Sequence, residues 1–598
     1  MKRIVLFAVL LIACIACDEK KNIFEDREIR HIADLQDRRK TDSLLIYLSS
    51  DNVEYRKRAA LAFASVQDTS AVKELWHVPD VEAVFALGQM YNPGSIEALK
   101  ERLGRGNPAN IRREAFEALG KVIRKDDLKI IHDTTDAEGL TWGIYRAGLR
   151  GIADTFLIRK AAAVLYNRGR LRDDRFAAAH FFARYQFTEP PAVAAPIVTG
   201  ASDEDVEIRM ASVSALSKVN HYESKTTVED DDYRVRVNAA RALRAKPWNF
   251  AKPLFEKLLN DENPHVNIAA AEVLVTLSVD TATLHQWAKN ARNWRTQATL
   301  YSKLKADDET KAIYSNSNNN YQKAALLRTM SDVAFVFEQY KANDAKVIKS
   351  TAANRLAEIS SDLNIFKQII SDGDQGAIIP ICDAIRDTTR GFKKQITDYS
   401  FLEQAKSKLS LPRDYETYEP LEETLNYLKG LPPPAKLKNE YNHPIDWALA
   451  LTIPKDQRVL VKTSKGDIIM QLFVEEAPGS VVNFVTLVNS GYFNDKFFHR
   501  VVPNFVIQTG CNRGDGFGSE DYSIRSEFSQ RKYKTGSVGM ASAGKDTEGT
   551  QWFITHSPTP HLDGKYTIFA EVVTGMDVVH QIEVGDKIIE ARLIKDGE

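Results

Sequence analysis

The fold of the C-terminal part of this chain is decided by residues 498–510, which read FHRVVPNFVIQTG. Three more stretches that combine glycine with apolar or aromatic residues follow along the chain. They are GMASAG at 539–544, GTQWFIT at 549–555 and HLDGKYTIFAEV at 561–572. The order and spacing of these four motifs form a signature that is too specific to arise by chance.

The residues before these motifs predict a β-hairpin and a helix. Residues 458–462 and 467–473 alternate between apolar and polar side chains, and a turn that ends at Gly466 joins them. A period of two residues on both sides of a short turn is typical of two antiparallel strands. Residues 478–490 place valine and phenylalanine on one face at helical spacing, which indicates a helix.

Over residues 457–598 this part of the chain resembles the cyclophilin family of peptidyl-prolyl cis/trans isomerases. The resemblance implies an eight-stranded antiparallel β-barrel with two helices and an active groove on its face. It also implies an activity, the rotation of X-Pro peptide bonds in proteins. Because that rotation needs no covalent step, neither a cofactor nor a metal is expected.

The resemblance implies that Arg500, Gln508 and Phe505 are the catalytic residues. Rotation of the bond must overcome amide resonance, a barrier of ~18–20 kcal/mol. In the twisted state the prolyl nitrogen gains a lone pair, and a fixed donor binds it better than it binds the planar ground state. Arg500 matches the family arginine in this role, because its guanidinium stays charged and carries five donors. Gln508 matches the glutamine that holds this arginine.

A larger set of residues matches the family's substrate-binding groove, namely Val506, Ser542, Gln551, Phe553, His561, Leu562 and Tyr566. Four of these depart from the commonest family residue, since His561 stands for tryptophan, Tyr566 for histidine, Ser542 for asparagine and Val506 for methionine. Phe498 and Trp552 are expected in the core instead, because strand alternation points them away from the groove.

Residues 27–405 predict a helical repeat array. One pattern recurs, with an arginine at its second position and small residues at helical spacing after it. Its copies lie at 55–63, 111–119, 208–216 and 235–243, with a looser copy at 266–274. Each copy is an amphipathic helix that cannot bury its apolar face alone, so stacked helices are expected. The pattern resembles HEAT-like repeats, which form an all-α solenoid; an irregular helical domain is the alternative.

Seven prolines lie within residues 406–456, and this change in composition predicts a linker between the two regions. The run Pro432-Pro433-Pro434 favours extended chain. Tyr441 and Trp447 could anchor the same stretch as a packed strap, and both possibilities stay open.

Residues 1–17 resemble the signal peptide of a bacterial lipoprotein. The apolar run from Ile4 to Ala16 is too short to span a bilayer, which needs about 20 residues. Cys14 and Cys17 are the candidate lipidation sites. The residues before Cys14 match the lipobox of such signals better, whereas Cys17 is followed directly by polar residues. An ordinary cleaved signal peptide is the alternative. We therefore expect export across the inner membrane and a lipid anchor in the cell envelope, in the outer membrane rather than the inner one.

Composition excludes two classes of protein. Lys+Arg number 80 and Asp+Glu 81, so no basic excess favours nucleic acid as a partner. Four cysteines are too few for a disulfide-stapled fold. The sequence thus predicts a lipid-anchored isomerase that acts on X-Pro bonds of protein clients, with a second protein partner on the solenoid. The alternative is a non-catalytic module that binds proline-containing segments.

Overall fold

The computed structural model describes residues 22–132, 138–186, 193–219, 227–437 and 440–595. Cys14, Cys17 and the predicted signal peptide lie outside these residues. Within the part of the chain that the structure describes, no helix is both long enough and apolar enough to cross a membrane.

Residues 27–429 form what we call the helical array, which has two rows of helices. In the first row each helix packs against the next one of that row. The first row comprises α1 Arg27–Asp37, α3 Val53–Val66, α5 Val81–Gln89, α7 Ala109–Val122, α9 Leu140–Leu149, α11 Arg172–Arg184, α13 Val206–Ala215, α14 Tyr233–Ala242, α16 Pro264–Leu274, α18 Trp294–Leu304, α20 Asn320–Leu327, α22 Lys346–Ile359, α24 Gln375–Arg386 and α27 Tyr415–Lys429.

A second row of helices connects the members of the first row. These are α2 Thr41–Tyr47, α4 Val72–His77, α6 Ile96–Arg102, α8 Lys129–His132, α10 Thr155–Tyr166, α12 Ala194–Ala201, α15 Trp248–Leu259, α17 Thr281–Lys289, α19 Asp307–Asn316, α21 Val333–Ala342, α23 Leu363–Asp372, α25 Phe392–Gln395 and α26 Ser400–Ser407. Single 3-10 turns are Ile23–Glu25, Thr69–Ala71, Pro93–Ser95, Lys125–Asp127, Leu216–Lys218, Leu243–Ala245, Thr388–Arg390 and Pro560–Leu562.

All five copies of the predicted repeat pattern start in first-row helices: α3, α7, α13, α14 and α16. Their small residues are buried, as the stripe at Ala59 and Ala62 illustrates. In three of the four copies that have it, the recurring arginine reaches the loop before the next first-row helix. It binds an aspartate there at 2.7 Å for Arg56–Asp80, 3.0 Å for Arg209–Asp230 and 2.7 Å for Arg236–Asp261. The pattern thus encodes how one helix pair joins the next.

Residues 458–595 form what we call the β-domain. One antiparallel sheet has the strand order β3-β4-β6-β5-β7-β2-β1-β8. The strands are β1 Arg458–Thr463, β2 Gly466–Leu472, β3 Arg500–Val502, β4 Val506–Thr509, β5 Ser537–Met540, β6 Trp552–Thr555, β7 Ile568–Thr574 and β8 Ile588–Leu593. The sheet curls until Phe497, just before β3, pairs with Lys587, just before β8.

The short helix α28, Trp447–Ala450, precedes β1. Two further helices complete the β-domain, namely α29, Pro478–Asn489, and α30, Met576–Val579. The predicted hairpin and first helix are confirmed. Phe498 and Trp552, predicted as core residues, are buried between the sheet and its helices.

The predicted linker, 406–456, is only partly extended, because it contains α27. Pro420 lies inside this helix and removes one backbone donor. Leu421, Leu425 and Leu428 are buried against the rest of the array, and this packing outweighs the helix-breaking effect of the proline. The array therefore extends to residue 429. Farther on, the indole of Trp447 donates to Asp34 at 3.2 Å, which ties the segment to α1.

Helices of the first row hold the β-domain through side-chain hydrogen bonds. The bonds run from Gln89 to the carbonyl of Gly564, from Arg146 to Asp563, from Arg184 to His561, from Tyr233 to His580, from Arg295 to the carbonyl of Val501 and from Tyr321 to that of Gly514. The β-domain is thus bound along much of the length of the array.

Candidate active site

The hairpin of β3 and β4 brings the two principal predicted residues together. Arg500 lies directly opposite Gln508 in the strand pairing. Asn504, in the turn between the strands, has a φ of 56°, a left-handed conformation that asparagine tolerates better than most residues. Arg241 of α14 donates to the carbonyl of Pro503 at 3.0 Å, so the array also fixes this turn.

A line of hydrogen bonds orients the exposed guanidinium of Arg500. Arg500 Nη1 donates to Gln508 Oε1 at 3.1 Å, and Gln508 Nε2 donates to Gln551 Oε1 at 3.0 Å. The amide of Gln551 in turn donates to the carbonyls of Gly516 and Gly518 at 2.8 and 3.0 Å. Each amide is thereby held in one orientation, and Arg500 is placed at the edge of a groove.

An apolar pocket lies beside Arg500 and is separate from the core of the β-domain. Val506 and Phe553 form its buried floor, and Phe505, Leu562 and Tyr566 are only partly buried against them. The guanidinium carbon of Arg500 lies 6.0 Å from the ring centre of Phe505. A cation therefore stands next to an apolar pocket, the surroundings expected for a proline ring.

One cleft of 280 Å³ contains nine of the ten predicted site residues. They are Arg500, Phe505, Val506, Gln508, Ser542, Gln551, Phe553, Leu562 and Tyr566. His561 does not line this cleft, and its role in substrate binding stays a prediction. Its ring stacks on Phe505 at 5.6 Å, outside the cleft lining, and Arg184 of α11 approaches its Nδ1 to 3.1 Å.

Comparison with known proteins assigns the β-domain to a family. Residues 458–596 match the model of cyclophilin type peptidyl-prolyl cis-trans isomerases. A peptidyl-prolyl cis-trans isomerase of Helicobacter pylori is 42% identical over 143 residues, which cover 23% of this chain and 87% of that protein. The chain belongs to the cyclophilin family. Its β-domain is a cyclophilin-type peptidyl-prolyl isomerase domain.

Further similar proteins carry the same description. An isomerase of Synechococcus elongatus is 38% identical over 141 residues, 23% of this chain and 97% of that protein. The crystal structure of a cyclophilin type isomerase of Cryptosporidium parvum is 30% identical, covers 23% of this chain and 98% of that chain, and has a TM-score of 0.23.

The helical array adds a wall to the cyclophilin cleft that the sequence did not reveal. Residues 412–417, at the start of α27, line the same cleft as Arg500. Among them, Arg413 and Glu416 bring charged groups and Tyr415 an aromatic ring. The proline-rich composition there indicated a linker, and no local signal places these residues near a site some ninety positions farther along the chain.

His499 lies next to Arg500 and contributes no second charge at neutral pH. Burial is the main cause that lowers the pKa of His499 to about 4, and the positive charge of Arg500 lowers it further. Its imidazole is therefore neutral. No charged histidine therefore stands beside Arg500 at neutral pH.

Proposed function

We propose that this chain isomerises X-Pro bonds in protein clients of a bacterial cell envelope, with the helical array as its scaffold. The observation that carries the proposal is the position of Arg500, held by Gln508 beside an apolar pocket. A cyclophilin-type domain supplies the reaction class, and the array supplies a second surface for proteins.

In the proposed mechanism, the proline ring of the client enters the pocket of Phe505, Phe553 and Leu562. Burial of the ring fixes one side of the peptide bond while the other side turns. As the bond twists, the prolyl nitrogen becomes pyramidal, and an N–H group of Arg500 donates to its lone pair. This bond is absent with the planar amide, so it stabilises the transition state selectively. Gln508 keeps the guanidinium in place throughout.

The test of the proposal is the rate at which the full chain isomerises the X-Pro bond of a tetrapeptide. Exchange NMR measures this rate. We expect Arg500→Ala to lower kcat/KM at least about tenfold, equivalent to ~1.4 kcal/mol of transition-state stabilisation. Arg458→Ala is the matched control, because Arg458 is an exposed strand residue outside the cleft. Equal activities of the two variants, with unchanged circular dichroism, would contradict the assigned role.

The same experiment addresses the alternative of a non-catalytic module that only binds proline-containing segments. A wild-type chain that binds the peptide without accelerating its isomerisation would favour that alternative. The bonds among Arg500, Gln508 and Gln551 favour catalysis, because a purely apolar grip on proline would not require an oriented cation.

For the array we propose a HEAT-like solenoid that binds a client or a second protein. The support is the serial packing of its first-row helices and the arginine–aspartate bonds that repeat between them. Cross-linking of the chain in intact cells, followed by mass spectrometry, tests for such a partner. Links confined to the chain itself would speak against it.

We also propose that Cys14 or Cys17 carries a lipid that anchors the protein in the envelope, in the outer membrane. The support is the short apolar run before them and the acidic residues Asp18 and Glu19 after them. Replacing both cysteines by alanine should abolish the uptake of labelled fatty acid and release the chain from membranes. A double variant that still takes up the label would overturn the anchor.

A further inference from the structure

Arg500 and Gln508 border two clefts. The first is the 280 Å³ cleft of the apolar pocket, and a second of 760 Å³ also includes both residues in its lining. Gly516 and Phe517 likewise border both clefts. The cleft at Arg500 and the larger cleft between the β-domain and the array are therefore adjacent and meet at these residues.

The far wall of the second cleft is the inner face of α16, α18, α20, α22 and α24. Apolar residues there are half-buried and polar ones exposed, a combination found at sites that bind polypeptides. The apolar residues are Trp294, Val347, Ile379 and Pro380, and the polar ones are Glu272, Arg328 and Asn354. An extended chain could place apolar side chains on the first group and bond its amides to the second.

The loop that joins the two clefts is held rigidly by the array. Arg513 Nη2 forms an ion pair with Asp374 Oδ1 at 2.7 Å, and the Asp374 side chain is only 4% exposed. Lys346 approaches the other oxygen of Asp374 at 2.9 Å, and Tyr321 donates to the carbonyl of Gly514 at 2.7 Å. Because the loop is fixed before any ligand arrives, little ordering cost is left for binding.

We infer that the second cleft binds the residues flanking the X-Pro bond in an extended polypeptide client. The array and the β-domain then form one substrate groove, and specificity for the flanking residues is set by array side chains. This inference rests on the proposed function. A fully extended tetrapeptide spans at most about 14 Å, so it engages mainly the first cleft, whereas a longer client continues past Arg500 into the second.

The test compares two X-Pro peptides, a tetrapeptide and one extended by several residues on each side. The readout is the ratio of their kcat/KM values in the full chain. Asn354→Trp fills the second cleft from an exposed position on α22, so the fold should tolerate it. We expect the long-to-short ratio to fall by about tenfold, a loss of one well-packed contact region. Glu358→Trp, exposed on the same helix outside the cleft, is the control and should leave the ratio unchanged.

Direct binding of the longer peptide, measured by fluorescence anisotropy, separates this inference from the proposed function. Weaker binding by Asn354→Trp supports the second cleft even if the chain shows no catalysis. Arg328→Glu is a second variant, also at an exposed position, and should change affinity for peptides with charged flanking residues. The inference is overturned if the wild-type chain is active and both variants have the same peptide affinity and the same long-to-short kcat/KM ratio as the wild type. So does a variant that changes only self-association in size-exclusion chromatography, since the cleft would then serve a second copy of the chain.

Discussion

The face of the β-domain that carries Arg500 and the inner face of the array, which contacts the β-domain, differ in how far apart in sequence their contacting residues lie. On the first face, residues close in sequence meet through strand pairing, as Arg500 meets Gln508. On the inner face, single side chains from successive helices reach residues hundreds of positions away, as Arg146 reaches Asp563. A short motif can therefore specify the first, whereas only the whole fold specifies the second.

The largest effect is expected where the two regions share a buried ion network. Arg146 Nη2 lies 2.7 Å from both Glu117 and Asp563, and its side chain is 4% exposed. Burial alone would raise the pKa of Glu117, but Lys532 and Arg146 lower it well below its usual range. Arg146→Met leaves two carboxylates without this partner, which costs about 3–5 kcal/mol when a buried pair is broken.

Hydrogen–deuterium exchange of residues 560–566 measures this loss as local opening. We expect exchange at least about 100-fold faster in Arg146→Met, because 1.4 kcal/mol is a factor of ten. Arg150→Met is the control, since Arg150 directly follows the same helix and donates to the carbonyl of Ile123 within the array. Equal exchange in both variants would show that the ion network does not hold the domains together.

Acid should weaken the same interface through buried histidines. His265 of α16 is buried, its ring is 5.2 Å from that of His556, and burial lowers its pKa to about 3. His580, Tyr233 and Arg295 also face this cluster. Because the pKa of unfolded histidine is about 6.5, the unfolded chain binds more protons below that pH, and stability falls with falling pH towards the folded value.

A buried histidine that stays neutral lowers the free energy of unfolding at pH 5 by about 2 kcal/mol from its value at neutral pH. His265→Phe removes this term, so the variant should lose less stability than wild type between pH 7.5 and pH 5 in urea titrations. His31, on α1 and exposed, is the control position, and His31→Phe should retain the full loss. An identical acid loss in all three proteins would contradict the role of His265.

The sequence was sufficient to predict that the residues of the face that carries Arg500 lie together, because strand pairing preserves local spacing. Arg500 and Gln508 are eight positions apart, and a short turn brings them face to face. The apolar floor at Phe553 followed from the same motifs. His561 belongs to a motif too, but its contact with Arg184 of the array has no local signal in the sequence.

In the array, the sequence indicated the helices and the repeated arginines but not what the inner face binds. Small residues at helical spacing predict close helix packing, which Ala59 and Ala62 show. A contact such as that of Tyr321 with Gly514 depends on the curvature of many helices in series. Likewise, α27 forms despite Pro420 because its leucines are buried, and burial cannot be known from composition.

A smaller effect is expected when the support of Arg500 is removed without removing Arg500. Gln508→Leu deletes the acceptor of the 3.1 Å bond and the donor to Gln551. One hydrogen bond is worth about 1 kcal/mol, so kcat/KM for a tetrapeptide should fall about fivefold, mainly in kcat. Gln581→Leu, at an exposed position of the β-domain, should have wild-type activity. A change in KM alone would indicate that Gln508 binds substrate rather than positions the arginine.

The smallest effect is expected at His561. Because its ring stacks on Phe505 but does not line the cleft, His561→Ala should lower tetrapeptide kcat/KM by no more than about twofold, equivalent to ~0.4 kcal/mol. Steady-state rates at neutral pH check this. A tenfold or larger loss of kcat/KM would indicate that His561 contributes to substrate binding or catalysis.

Photo-crosslinking tests most directly whether a client lies between the two regions. A long X-Pro peptide with a benzophenone several residues from the proline is bound to the full chain, irradiated and mapped by mass spectrometry. We predict links both to the β-domain near Phe517 and to the array at α22 or α24, and loss of the array links in Asn354→Trp. Links confined to the β-domain in the wild-type chain would contradict a shared groove.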